Sequence, residues 1–166
     1  DKCVARGSYL LTHSDDASDF IAIMEKYHVD ANDIVLEITE SASITEKKIL
    51  LDNMNALRKV GVRFALDDFG TGQSNLSYIV DMPIDIVKFD RGMTNAYFDN
   101  GKGKPVMDAA MGMIQKLKLE IVSEGIEEKE QLAKLDELGI DYIQGYYFSK
   151  PRNAAEFISF IESNNA

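Results

Sequence analysis

An intrachain disulfide is excluded at the outset, because Cys3 is the single cysteine among 166 residues. A lone thiol suits a reducing compartment. No apolar run approaches the roughly 20 residues that a membrane-spanning helix needs, and no leader pattern opens the chain. Positive charge is scarce: 18 Lys and Arg face 28 Asp and Glu, a formal net charge of -10. That balance disfavours binding nucleic acid through its phosphates. A phosphate-bearing small molecule stays compatible if cations bridge it to the carboxylates. There is no linker, low-complexity tract or sequence repeat. What the chain does have is apolar content, 45% of its residues, enough to build one core in one domain.

Short β-branched runs alternate with amphipathic segments. Strands are expected at 2–5, 34–38, 63–67, 84–89, 119–123 and 140–143. Helices are expected at 16–27, 45–60, 74–80, 105–116, 128–138 and 154–164. Leu50, Met54 and Leu57 share one helical face, and Gly61 is placed to cap it. Pro105 suits a first helical turn. Leu132, Leu135 and Leu138 share one side of the next helix, and Phe157, Ile158 and Ile161 lie on the last. Residues 95–104 read as one long polar loop. Strands alternating with helices imply a parallel sheet covered by helices. The methionines Met54, Met107, Met111 and Met113 read as core filling. His13 and His28 read as surface residues.

The strands share an anomaly. Each apolar run carries polar groups at or near its C-terminal end: Glu37, Asp67 with Asp68, Lys88, Glu124 and Gln144. A buried strand has no structural use for a lone charge, which costs several kcal/mol unless paired. In barrels of alternating strands and helices the C-terminal strand ends form one face, and active sites sit there. The pair Asp67-Asp68 suits a hard divalent cation, which takes oxygen ligands, and Gly70 after it permits a tight turn. Each residue also has a plainer reading. Glu37 and Glu124 could be solvated strand ends. Lys88 could pair locally with Asp90, Gln144 could belong to a turn, and Asp68 could cap the short helix that follows. Recurrence at equivalent positions on successive strands favours one shared acidic pocket.

These residues closely resemble the EAL-domain family of cyclic di-GMP phosphodiesterases. The matching motifs are Leu36-Glu37-Ile38-Thr39-Glu40, Asp67-Asp68-Phe69-Gly70-Thr71-Gly72, Val87-Lys88-Phe89-Asp90, Ser123-Glu124-Gly125-Ile126-Glu127 and Gln144-Gly145-Tyr146-Tyr147-Phe148-Ser149-Lys150-Pro151. The resemblance implies a TIM-type (β/α) barrel in the α/β class. It implies hydrolysis of cyclic di-GMP to the linear dinucleotide with Mg2+ or Mn2+ at a two-metal site. By that likeness Glu37, Asp67 and Asp68 would be metal ligands, with Asp68 between the ions. Lys88 would orient or activate the attacking water. Glu124, Gln144 and Asp90 would complete the pocket, and Glu127 would hold the loop 69–74. The family also implies a bacterial, cytoplasmic setting.

The match has gaps. The family's name-giving Glu-Ala-Leu element is absent. Counting back from Glu37, with Tyr9 and Leu11 as guides, places the family's metal-ligand asparagine at Ala5, whose methyl cannot coordinate; Arg6 beside it is no oxygen ligand. A full barrel of this type runs to about 250 residues, so residues 1–166 are expected to be one incomplete domain of about six β/α units, strands three to eight. Open sheet edges invite association, so a second copy or a partner is expected to cover them. Two readings follow. One is a phosphodiesterase active in its full-length form and impaired as this chain. The other is a degenerate member that senses the dinucleotide or contacts a protein.

Overall fold

The computed structural model describes residues 3–6, 11, 13–39, 47–71, 76–99 and 101–164. The described strands form one parallel six-stranded sheet, ordered as in the sequence. They are β1 (Cys3–Arg6), β2 (Ile34–Thr39), β3 (Arg63–Phe69), β4 (Ile86–Phe89), β5 (Glu120–Glu124) and β6 (Tyr142–Gln144). The connections are helical: α1 (Asp16–Tyr27), α2 (Lys47–Val60), α3 (Leu76–Asp81), then α4 (Arg91–Phe98) with α5 (Gly103–Lys116), and α6 (Lys129–Glu137). Helix α7 (Ala154–Asn164) follows β6. This is an incomplete α/β barrel, with β1 and β6 as its edges. A closed barrel has no edges. No described helix is long and apolar enough to cross a membrane.

Strand alternation sorts the side chains into two apolar layers. Ile34, Leu36, Ile38, Phe64, Leu66, Val87, Phe89 and Ile121 face the helices and join the main core. Met54, Leu57, Met107 and Ile114 meet them from α2 and α5. Burying each such side chain contributes about 2 kcal/mol. Val35, Ala65, Ile86 and Val122 form a separate, smaller cluster on the other face. Below that cluster Arg63 bonds Glu120 at 2.6 Å. The inner face is therefore layered, as barrel interiors are: an ion pair, an apolar layer, then the polar strand ends.

Two aspartates tie the lower ends of the strands together. Asp85 accepts from the Phe64 backbone N–H at 3.0 Å and from Arg58 at 2.9 Å. Asp141 accepts from the Ile121 N–H at 2.8 Å. Both sit just before a strand, so each satisfies an N–H of the neighbouring strand where the ladder begins.

The expected helices and strands are present, with ends shifted by a residue or two; residues 2, 45, 46, 74 and 75 lie outside the described residues. The expected loop over 95–104 is a correction, since α4 continues to Phe98 and α5 begins at Gly103. The cause is local. The Asp90 side chain caps α4 by accepting from the Met93 N–H at 2.9 Å, and Thr94 and Tyr97 are buried. The histidines and methionines fall as expected. His13 and His28 are exposed, whereas Met54, Met107 and Met111 are buried and Met113 packs against the core.

Candidate active site

Parity on the inner face carries each strand from its apolar residue to a polar one two positions later. Val35 leads to Glu37, Ala65 to Asp67, Ile86 to Lys88, Val122 to Glu124 and Tyr142 to Gln144. Register keeps these ends together: Glu37 pairs with Ala65, Lys88 with Val122 and Glu124 with Gln144.

Lys88 stands at the convergence point. Its ammonium bonds Glu37 Oε1, Asp67 Oδ1 at 2.8 Å and Glu124 Oε1 at 2.6 Å. Glu37, Asp67 and Lys88 are buried. Desolvation pulls the Lys88 pKa down, but hydrogen bonds to Asp67, Glu124 and Glu37 outweigh it and hold the group above the usual lysine range. The three carboxylates thus favour the charged ammonium form of Lys88 in this cage. Lys88 pairs with these carboxylates rather than with Asp90, whose side chain serves α4.

Asp68 departs from simple alternation. Between Leu66 and Phe69 the β3–β4 register shifts by one residue, a β-bulge. Asp68 occupies it with φ +58, a conformation uncommon outside glycine but reached by aspartate. The bulge resets parity: Asp67 stays with the site, while Phe69 turns to the helix side and packs on Phe89 at 5.7 Å. The Asp68 carbonyl accepts from the Thr71 N–H at 3.2 Å and the Thr71 hydroxyl at 2.9 Å. Asp68 thus belongs to β3 and the turn after it. Residues 72–74 of the expected loop lie outside the described residues.

Half of the loop 69–74 that Glu127 is expected to hold thus lies outside the described residues; within them Glu127 has one ion pair. Its Oε1 accepts from Arg91 Nη2 at 2.9 Å, at the start of α4. On β1 the register pairs Ala5 with Leu36 and Arg6 with Glu37. The strand position beside Glu37 is therefore Arg6.

A cavity of about 970 Å³ opens on this face. Its lining includes Glu37, Lys88, Glu124 and Gln144, and also Arg91 and Glu127. Among the described residues no three Asp, Glu, His or Cys side chains are grouped as ligands of a common ion; the ammonium of Lys88 takes the meeting point. The donor set nevertheless suits a hard cation, because buried carboxylate oxygens of Glu37 and Asp67 already share one positive centre. Sequence reasoning missed Arg91 and the Arg63–Glu120 pair. Arg63 was legible, since it lies two positions before Ala65 on the same face. Arg91 was hidden by overlooking the helix it begins.

The EAL domain profile matches residues 7–151. The chain belongs to the EAL domain family. Escherichia coli (strain K12) PdeG, a probable cyclic di-GMP phosphodiesterase, is 38% identical over 130 residues, 78% of this chain and 26% of PdeG. The chain thus spans about a quarter of that relative's length. Among solved EAL structures, the enzyme Bd1971 with cAMP and cyclic di-GMP bound superposes with a TM-score of 0.86 at 34% identity. That match covers 95% of this chain and 42% of Bd1971. Klebsiella pneumoniae BlrP1, in complexes with cyclic di-GMP and calcium or manganese, gives TM-scores of 0.77 and 0.78 at 26% identity. Those matches cover 89% and 90% of this chain and 38% and 39% of BlrP1.

Proposed function

We propose that residues 1–166 are part of a single EAL domain that hydrolyses cyclic di-GMP to the linear dinucleotide in its full-length form, and that this chain alone is impaired. The observation that carries the reading is the convergence of Glu37, Asp67 and Glu124, from three strands, on Lys88 of a fourth. Glu37, Asp67 and Asp68 would hold Mg2+ or Mn2+. Such ions, when bound, supply an activated water and neutralise charge on the phosphoryl oxygens. Lys88 would orient or activate the attacking water. Glu124 fixes the Lys88 ammonium from the β5 side, and Gln144 offers an amide from the neighbouring strand end. Asp90 contributes from behind, by starting the helix that carries Arg91. A cytoplasmic location goes with this reading.

A second reading is favoured by one observation. The β1 position paired with Glu37 is Arg6, a residue type with no oxygen ligand. A module that binds the dinucleotide without turnover would tolerate that. Calorimetric titration of the chain with cyclic di-GMP in MnCl2, with chromatography for the linear product, separates the two. Binding with negligible product is expected. Rapid turnover that Asp67→Ala abolishes would show that this chain is not impaired, and no binding at all would remove both readings. The open edges also imply self-association or a covering partner. Sedimentation at tens of micromolar should show dimers or larger species, and a clean monomer would count against the idea.

A further inference from the structure

Arg91 lines the cavity but stands outside the Lys88 cage. We propose that Arg91 binds substrate by donating to a phosphodiester oxygen of the dinucleotide at the cavity rim. This rests on the cyclic di-GMP reading above.

The placement of the side chain is specific. Gly125 follows Glu124 directly and has φ +79. A Cβ on Gly125 would lie 2.4 Å from Arg91 Cγ and 2.7 Å from its Cβ. The missing side chain at Gly125 is what lets the Arg91 stem cross the end of β5 beside Glu124. The guanidinium is then held by Glu127 Oε1 at 2.9 Å. The Glu127 backbone is itself fixed, since its N–H and that of Glu128 donate to Gln131 Oε1 at 3.0 and 3.1 Å. The Arg91 side chain remains 58% exposed. A guanidinium has five N–H donors in a fixed fork, so the contact with Glu127 engages only part of it and sets its direction.

Charge explains why the position matters. The dinucleotide is a dianion, and this wall of the cavity carries Glu37, Glu124 and Glu127. Lys88 is shared by three carboxylates, and Arg63 bonds Glu120 at the far end of the sheet. Lys150 and Arg152 also line the cavity, on the segment after β6, where Lys150 lies over Tyr146 and Arg152 bonds Ser149. Arg91 is the lining arginine placed at the end of β5 beside Glu124, with part of its fork open to a ligand. Guanidinium geometry matches phosphate oxygens.

The test is calorimetric titration of the 166-residue chain and its Arg91→Met and Arg91→Lys variants with cyclic di-GMP in excess CaCl2. One lost charge-assisted hydrogen bond should weaken binding by Arg91→Met about tenfold or more. Arg91→Lys should recover part of the loss. The Met loss should shrink as NaCl is raised, because attraction at an exposed charge is screened. Unchanged affinity in Arg91→Met beside a binding wild type would overturn the inference and leave the functional reading standing. A loss insensitive to salt would overturn the assignment to phosphate. No binding by the wild type would remove the functional reading and this inference with it.

Discussion

Replacing Lys88 with methionine removes the positive charge at the centre of a buried acidic cluster. The side chains of Lys88, Glu37 and Asp67 are 8%, 9% and 3% exposed, and that of Glu124 is 22% exposed. Three carboxylates would be left facing one another with little water to screen them. Methionine has a similar length and fills most of the vacated volume, so the packing change is small. The loss is therefore electrostatic. Breaking a buried ion pair by removing one partner costs about 3–5 kcal/mol. For a chain of this size, 1 kcal/mol moves the melting midpoint by about 2–4 °C. The variant should melt about 6–20 °C below wild type in EDTA, followed by far-UV circular dichroism.

Manganese then separates two explanations of that loss. In wild type a divalent ion must compete with the Lys88 ammonium for the same oxygens. In Lys88→Met those oxygens have no other cation. An ion present at 100 times its dissociation constant stabilises by about 2.7 kcal/mol. MnCl2 should therefore raise the midpoint of Lys88→Met by more than that of wild type, and a further Asp67→Asn change should erase the gain. A variant melting within about 2 °C of wild type in EDTA, less than about 1 kcal/mol, would refute the cage as a stabilising unit. A destabilised variant indifferent to manganese would refute the assignment of these carboxylates to a cation.

Further predictions concern the scaffold behind the site. Gly112 lies inside α5, and a Cβ added there would have nothing within 4 Å, so Gly112→Ala should stabilise by about 0.5–1 kcal/mol in urea unfolding. At Gly145 a Cβ would meet Ile126 backbone oxygen at 2.0 Å and nitrogen at 2.4 Å. Gly145→Ala should cost more than about 2 kcal/mol; equal midpoints for the two variants would contradict the packing. The hydroxyls of Thr94 and Ser123 bond at 3.0 Å in a buried contact between α4 and β5. Thr94→Val and Ser123→Ala should each cost about 1–2 kcal/mol and the double change less than their sum. Strict additivity would mean that the pair does not couple α4 to the strand carrying Glu124.

Much of this site was legible because strand parity is a strict rule. Once 34–38 and 63–67 are strands, Glu37 and Asp67 must share a face with Val35 and Ala65, and their coincidence at the C-terminal ends follows. What parity could not show is where it breaks. The β3 bulge is encoded by no single residue. It follows from two demands met together, Asp67 at the site and Phe69 against Phe89. Nor could periodicity reveal α4, whose buried face is Thr94 and Tyr97 rather than a leucine stripe. Its start is fixed by Asp90, which looked like a partner for Lys88 because the two are close in sequence.

That misreading has a physical consequence for the site. An aspartate two residues after a strand lysine sits at the same parity only while the strand continues. Here β4 ends at Phe89, and Asp90 turns its carboxylate to the α4 backbone. Lys88 is thereby left to carboxylates from other strands, and Arg91 is carried over Gly125 toward Glu127. The short segment Lys88-Phe89-Asp90-Arg91 thus supplies a cage cation, a core side chain, a helix cap and a rim cation in succession. Moving the strand end by one residue would exchange these duties. The cap at Asp90 therefore does more for the site than its place outside the Lys88 cage implies.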